Sequence, residues 1–221
     1  MTSLWERTWE HTNFAPLEGD VNTDVLIIGG GMTGVLCAYL LHHAGVPYML
    51  AEAETICSGI TKNTPAKLPS QHGLIYDKLI RTLGIERAKG YLSANQEALQ
   101  KYRVLCDGID CSFEEKSAYV YALNDRRKLE QELAALEKLG FHGEFVEHLP
   151  LPFSTAGAVK FSNQAQFHPL KFVSAISKGL HIYERTPVRE LIGTTAVTNR
   201  GKITAKSIIV ATHFPFLNKH G

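Results

Sequence analysis

The feature that most constrains this chain is an apolar strand near the N-terminus that runs straight into three glycines. Asp24-Val25-Leu26-Ile27-Ile28 is short, rich in β-branched residues and bounded by polar residues before and glycines after, which predicts a buried parallel strand. Gly29-Gly30-Gly31-Met32-Thr33-Gly34 follows and contains G-x-G-x-x-G at Gly29, Gly31 and Gly34. Thr33 to Ala44 reads as a helix, apolar at Val35, Leu36, Tyr39 and Leu40 and stopped by Gly45. Val46 to Ala51 is a second strand, with Glu52 at its end.

Each part of that unit has a physical task. Gly29 permits a tight turn out of the strand, Gly31 lets a pyrophosphate approach the backbone, and Gly34 lets the helix pack closely on the sheet. Amides at the helix start, together with the helix dipole, hold anionic phosphates. Glu52 follows Gly31 by 21 residues, where a carboxylate can accept both hydroxyls of an adenosine ribose. An acid there fits NAD or FAD and disfavours NADP, whose 2′-phosphate it would repel. Against this stands an α/β turn that binds nothing; the full order of strand, glycines, helix, strand and acid favours the dinucleotide site.

Composition removes other classes. A formal net charge of +1 creates no field toward nucleic acid or an acidic membrane. The N-terminus has no apolar run of signal-peptide length, and the most apolar stretch, Val35 to Ala51, is broken by His42, His43, Gly45 and Pro47. Cys37, Cys57, Cys106 and Cys111 lack the Cys-x-His and Cys-x-x-His spacings of a Rieske centre and the pairs of a zinc ribbon, so no metal site is expected. They do not look like a disulfide framework either, and a cytoplasmic, reduced protein is the expectation.

Several further strings are long and unusual. They are Ser3-Leu4-Trp5-Glu6-Arg7-Thr8, the segment Thr64-Pro65-Ala66-Lys67-Leu68-Pro69-Ser70-Gln71-His72-Gly73-Leu74-Ile75-Tyr76-Asp77-Lys78-Leu79, then Asn163-Gln164-Ala165-Gln166-Phe167-His168-Pro169-Leu170-Lys171 and Ile208-Ile209-Val210-Ala211-Thr212-His213-Phe214-Pro215. With the glycine motif, they make the chain resemble the D-amino-acid oxidase (DAO) superfamily of FAD-dependent oxidoreductases. More narrowly it resembles the bacterial branch whose flavin domain is often followed by a Rieske domain.

The resemblance implies an α/β fold: a Rossmann-like FAD-binding domain with a parallel sheet and helices, plus part of an inserted α+β substrate domain. The expected division is 1–85 for the first part of the FAD domain, 86–160 for the insertion and 161–221 for the second part. It implies FAD contacts at Ile28, Gly29, Gly31, Met32, Thr33, Gly34, Glu52 and Ala53, and in the loop Cys57 to Lys67 at Thr61, Lys62, Asn63 and Thr64. Relatives usually have a small residue where Lys62 stands, so its ammonium is either a phosphate contact or solvated. Val188 would meet the adenine through its backbone, and Ala211 and Thr212 end the strand that returns to the glycine motif. The wider superfamily favours Ala-Thr-Gly there, and this chain has His213 in the glycine's place.

Gln71 and His72 follow the flavin loop, and a catalytic or flavin-tuning role for either stands beside a structural one that fixes the loop. Lys67 is read as a water or phosphate contact or as solvated, Cys57 as a loop thiol or a flavin attachment point, and His168 as structural. No catalytic base is assigned. Between Ala88 and Phe161 the pattern predicts helices at Ala88–Cys106 and Asp125–Leu139, the second with a solvated charged face and Asp125 as N-cap. Strands are expected near Phe113 and over Ala118–Leu123, with edge strands at Phe145-Val146 and Ala158–Phe161, then a helix from Pro169 to about Lys178.

The implied activity is hydride transfer from a carbon–nitrogen bond of an amine or amino acid to flavin, with oxygen or a redox carrier as electron acceptor. In the family, further substrate-sheet strands follow the point where this chain stops at Lys219-His220-Gly221, so a truncated cofactor-binding half is the expectation. A non-catalytic dinucleotide-binding module remains the alternative.

Overall fold

The computed structural model describes residues 3–10 and 12–213; Phe214-Pro215 of the resemblance and the end of the chain lie outside them. The chain divides into two compact units: one takes in the described residues up to Pro65 and from His168 on, and the other is Ala66–Phe167.

The first unit is built on a six-stranded sheet. Its strands are β1 (Val21–Ile28), β2 (Tyr48–Ala51), β7 (Ile182–Tyr183), β8 (Val188–Ile192), β9 (Thr195–Thr198) and β10 (Lys202–Val210), in the order β7-β2-β1-β10-β9-β8. The first four in that order are parallel, and β9 and β8 complete the sheet antiparallel. Alternation along β1 explains its burial. Ile27 faces helix α1 (Met32–His43), while Leu26 and Ile28 point the other way into a cluster with Leu17, Ala51, Ala196, Ile203 and Ala205. Helix α5 (Pro169–Ile176) packs against α1 and carries Pro169 in its first turn.

The second unit holds β3 (Lys67–Leu68), β4 (Glu114–Tyr121), β5 (Glu144–Val146) and β6 (Ala158–Gln166), all antiparallel, with helices α2 (Tyr76–Leu83), α3 (Ile85–Cys106) and α4 (Arg126–Lys138). Ala118 and Val120 of β4 pack on Tyr76, Leu129, Leu136, Val159 and Phe161, while Tyr119 and Tyr121 between and beyond them are exposed. That period of two is the signature of a sheet covered by helices on one face.

Three expectations change. The boundaries move from 85/86 and 160/161 to 65/66 and 167/168, because β3 pairs with β6, α2 packs on α3 and α4, and β6 runs on to Gln166. Ala158–Phe161 is the start of the central strand and not an edge: β6 pairs with β3, β4 and β5. The polar run Ser162-Asn163-Gln164, with Asn163 at φ 57°, hid the continuation.

The charged face of α4 is also not wholly solvated. Glu132 is 1% exposed, and its carboxylate accepts the Tyr76 and Asp77 amides at 2.9 and 3.0 Å, capping α2, which has no side-chain cap of its own. Burial pushes its carboxyl above the ordinary range, against the pull of the amides. Among the described residues no helix is long and apolar enough to cross a membrane, and no cluster of His, Cys, Asp and Glu is placed to hold a metal ion.

Candidate functional site

The sequence-expected residues converge where the parallel strands end. Ile28 closes β1 and its carbonyl accepts the Ala211 amide at 2.8 Å, while Gly29 donates to the Ala51 carbonyl at 2.9 Å. Gly29 has φ 108°, and a Cβ there would lie 2.7 Å from the Ala211 oxygen. A Cβ on Gly34 would sit 1.9 Å from the Gly29 oxygen, so the start of α1 lies directly on the turn. These two glycines are required by the protein's own packing.

Gly31 is different. It caps α1 with extended backbone, φ −74° and ψ −179°, which any residue adopts, and the nearest atom to an added Cβ is Thr61 Oγ1 at 3.5 Å. Nothing among the described residues demands a glycine there; the cradle it leaves suits a ligand that comes against the backbone. Val35 makes the first backbone bond of the helix, to the Gly31 carbonyl, so the Thr33 and Gly34 amides lie ahead of the intrahelical ladder. Thr33 is exposed, and the Met32 amide is taken by Thr61 Oγ1 at 3.1 Å. Bare backbone, a helix N-terminus and a nearby carboxylate are the donor and acceptor set that a dinucleotide needs.

Glu52 supplies that carboxylate. Its Oε2 accepts the Gly30 amide at 2.6 Å and its Oε1 the Glu54 amide at 2.9 Å, which aims the side chain along the glycine turn. Ala53 beside it is exposed. Val188 opens β8 and packs on the cluster that contains Ile28 and Ala51. Thr212 follows Ala211, and His213 has φ 64°, the left-handed conformation that glycine adopts at least cost.

The loop Thr61–Thr64 is fastened by the N-terminal segment. Ser3 and Glu6 bond reciprocally across the start of the 3-10 turn Trp5–Thr8, with the Ser3 amide on Glu6 Oε2 at 2.9 Å and the Glu6 amide on Ser3 Oγ at 3.3 Å. Glu6 Oε1 also takes the Lys62 ammonium at 3.0 Å. The Ser3 amide and then Lys62 hold the Glu6 carboxyl below its usual range. Lys62 is thus paired with Glu6 while its side chain stays partly exposed. Trp5 Nε1 donates to the Thr64 carbonyl at 2.9 Å, and Asn63 turns back toward the Gly59 carbonyl.

His168 N-caps α5 through Nδ1, which accepts the Lys171 amide at 3.2 Å, and its Nε2 lies 2.9 Å from Thr8 Oγ1. The Ser-x-x-Glu spacing of residues 3–6 was the sequence signal for this strap. Cys57 lies beneath the turn at φ 60° and 3% exposure, and burial pushes its thiol up to about 12.

Lys67, Gln71 and His72 belong to the second unit. Lys67 is exposed in β3. Gln71 is buried, with its Oε1 lacking a partner among the described residues, and the His72 Nδ1 meets the Tyr91 hydroxyl at 2.9 Å. Within the first unit the structure gathers the glycine turn, Glu52, Thr61 and Ala211 closely.

Comparison with known proteins matches residues 24–217 to the DAO family, described as FAD dependent oxidoreductase. A Bacillus subtilis (strain 168) protein, YhfW, whose name describes a Rieske 2Fe-2S iron–sulfur protein, is 36% identical over 99% of this chain and 46% of its own length. The gamma-glutamylputrescine oxidoreductase of Escherichia coli (strain K12) is 25% identical over 91% of this chain and 51% of its own. The chain thus spans about half the length of these relatives.

Among solved structures, L-proline dehydrogenase from P. horikoshii superposes with a TM-score of 0.73 at 17% identity, covering 89% of this chain and 54% of its own. Glycine oxidase from Bacillus cereus ATCC 14579 gives 0.64 at 23%, covering 86% and 55%. A match over most of the chain, on top of a turn shaped for a dinucleotide, settles its kinship: the chain belongs to the DAO family of FAD-dependent oxidoreductases.

Proposed function

We propose that the protein oxidises a carbon–nitrogen bond of an amine or amino acid, with FAD as its cofactor and oxygen or a redox carrier as the electron acceptor. The observation that carries the cofactor assignment is the contrast within the glycine turn. Gly29 and Gly34 are packed against backbone, whereas Gly31 is bare beside Thr61, with no other described atom against it. The substrate class is supported by relatives named for amine or amino-acid oxidation, gamma-glutamylputrescine oxidoreductase and glycine oxidase among them.

When bound, FAD supplies the hydride acceptor; the protein supplies placement and electrostatics. The first turn of α1, with Gly31, Met32, Thr33 and Gly34, is assigned to the pyrophosphate, where the helix dipole favours anions. Glu52 is assigned to the ribose hydroxyls. Each carboxylate oxygen accepts one amide and keeps a lone pair for a further donor. Ile28, Gly29, Ala53, Ala211 and Thr212 line the strand ends, Val188 offers backbone to the adenine, and Thr61, Lys62, Asn63 and Thr64 form the covering loop. In this reading Lys62 acts through its pairing with Glu6, which holds the loop in place.

An absorbance spectrum of the purified, desalted protein tests the cofactor. Flavin bands near roughly 370 and 450 nm are expected, followed by anaerobic bleaching with a panel of amines and amino acids. Retained flavin that no amine or amino acid bleaches would overturn the substrate class. A protein that neither retains nor takes up FAD would overturn the cofactor assignment.

A further inference from the structure

Glu184 carries no signal in the sequence, yet its side chain is wholly buried at the end of β7. Its Oε1 accepts the Ile56 amide at 2.8 Å, and its Oε2 accepts the Phe14 amide at 3.2 Å and faces the half-exposed Arg185 guanidinium at 3.3 Å. Arg185 in turn donates to the Phe14 carbonyl. The neighbouring backbone follows the same plan: the Arg185 and Thr186 amides donate to the Glu54 and Glu52 carbonyls at 2.7 and 2.9 Å. The Leu17 amide reaches Thr186 Oγ1 at 3.0 Å. Residues 184–186 thus clasp the segment that begins at Glu52.

What that clasp fixes is visible at Ile56. Its fully buried side chain lies against the bare face of Gly30, where an added Cβ would meet Ile56 Cγ2 and Glu52 Cβ, each at 3.0 Å. The next residue, Cys57, donates its amide to the Gly30 carbonyl at 2.9 Å, and Glu52 accepts the Gly30 amide at 2.6 Å. Both peptide groups of Gly30 are therefore held by the 52–57 segment, and the Ile56 amide of that segment is held by Glu184. A buried carboxylate is costly unless it is paired, and here its pairing spans 128 residues to one backbone amide.

We infer that Glu184 is the positioning residue of the adenosine–pyrophosphate end of the cofactor site. It touches no cofactor; through Ile56 it sets the Glu52 carboxylate and the Gly30 peptide against each other. The inference rests on the reading that the glycine turn holds FAD.

Titration of the wild-type chain, Glu184→Gln and Arg185→Gln with FAD and with ADP, well below each melting temperature, tests it alongside amide hydrogen exchange. Glu184→Gln removes a charge-assisted acceptor, so FAD and ADP should bind about tenfold or more weakly. Exchange should quicken at Ile56 and Cys57 and stay unchanged in β10. Should Glu184→Gln fail to fold, Arg185→Gln leaves the carboxylate but removes its cation, and about threefold weaker ADP binding is the expected result. Unchanged affinity in the folded variant, or exchange that quickens evenly across the unit, overturns the positioning role. A wild-type chain that binds neither FAD nor ADP sinks instead the reading it rests on.

Discussion

The two glycines of the turn should separate stability from binding. In Gly34→Ala the new Cβ would start 1.9 Å from the Gly29 carbonyl oxygen, whereas real Cβ contacts stay beyond 3.0 Å, so backbone must move by more than an ångström. Strain of this kind costs about 3 kcal/mol, at the upper end for overpacking. For a chain of this size that is a fall in melting temperature of roughly 6–12 °C. In Gly31→Ala the Cβ meets only Thr61 Oγ1 at 3.5 Å, and the backbone is already extended. Loss of glycine's freedom in the unfolded chain is worth about 0.4–1 kcal/mol, and alanine's poorer N-capping of α1 offsets it, so the melting temperature should stay near that of wild type. The same methyl occupies the space assigned to the pyrophosphate. Loss of two phosphate–amide hydrogen bonds at about 1.5 kcal/mol each predicts roughly a hundredfold weaker FAD binding. Thermal unfolding and FAD titration of both variants give the test. Gly31→Ala that melts as early as Gly34→Ala, or that binds FAD like wild type, would refute the reasoning.

Three other outcomes are expected. The Glu132 carboxyl titrates above its unfolded value, so its favourable contribution is full below the unfolded pKa and is lost as pH rises through the folded one. The stability advantage of wild type over Glu132→Gln, measured by urea unfolding across the carboxylate range, should therefore narrow with rising pH. Cys57, with its thiol at about 12, should resist alkylation in the native protein at pH 8, where only about one molecule in ten thousand carries the thiolate, and should react once unfolded. With His213 replaced by valine, the protein should be about 1–2 kcal/mol less stable in thermal unfolding than with glycine at the same position, because a β-branched residue is strained at φ 64° and glycine is not.

The β1–α1–β2 unit was legible because its signals are local: an apolar strand, glycines, an apolar helical run and an acid within about thirty residues. Asp125 and Pro169 marked their helices for the same reason, and Asp125 does accept the Lys128 amide. Helix α2 was missed although Tyr76, Leu79, Ile80 and Leu83 stand at helical spacing, since eight residues carry too few repeats to stand out. The front half of β10 was missed because Lys202, Thr204 and Lys206 alternate with Ile203 and Ala205, so only the apolar run at its end was visible. Glu184 and Glu132 could not be read at all. Each is one more acid in sequence, and its role is created by backbone amides 128 and about fifty-five residues away.

The sheet order also has a consequence for synthesis on the ribosome. β1 lies between β2, which follows it closely, and β10, whose Ile203 pairs with Val21. At roughly 5–20 residues per second, the open flank of β1 waits about ten to forty seconds for the partner strand some 180 residues later. All of Ala66–Phe167, with its own sheet and helices, is translated in that interval. A nascent chain of this design carries β1 paired on one flank and open on the other while about 180 residues are made, and an open apolar strand flank is a template for pairing with other chains.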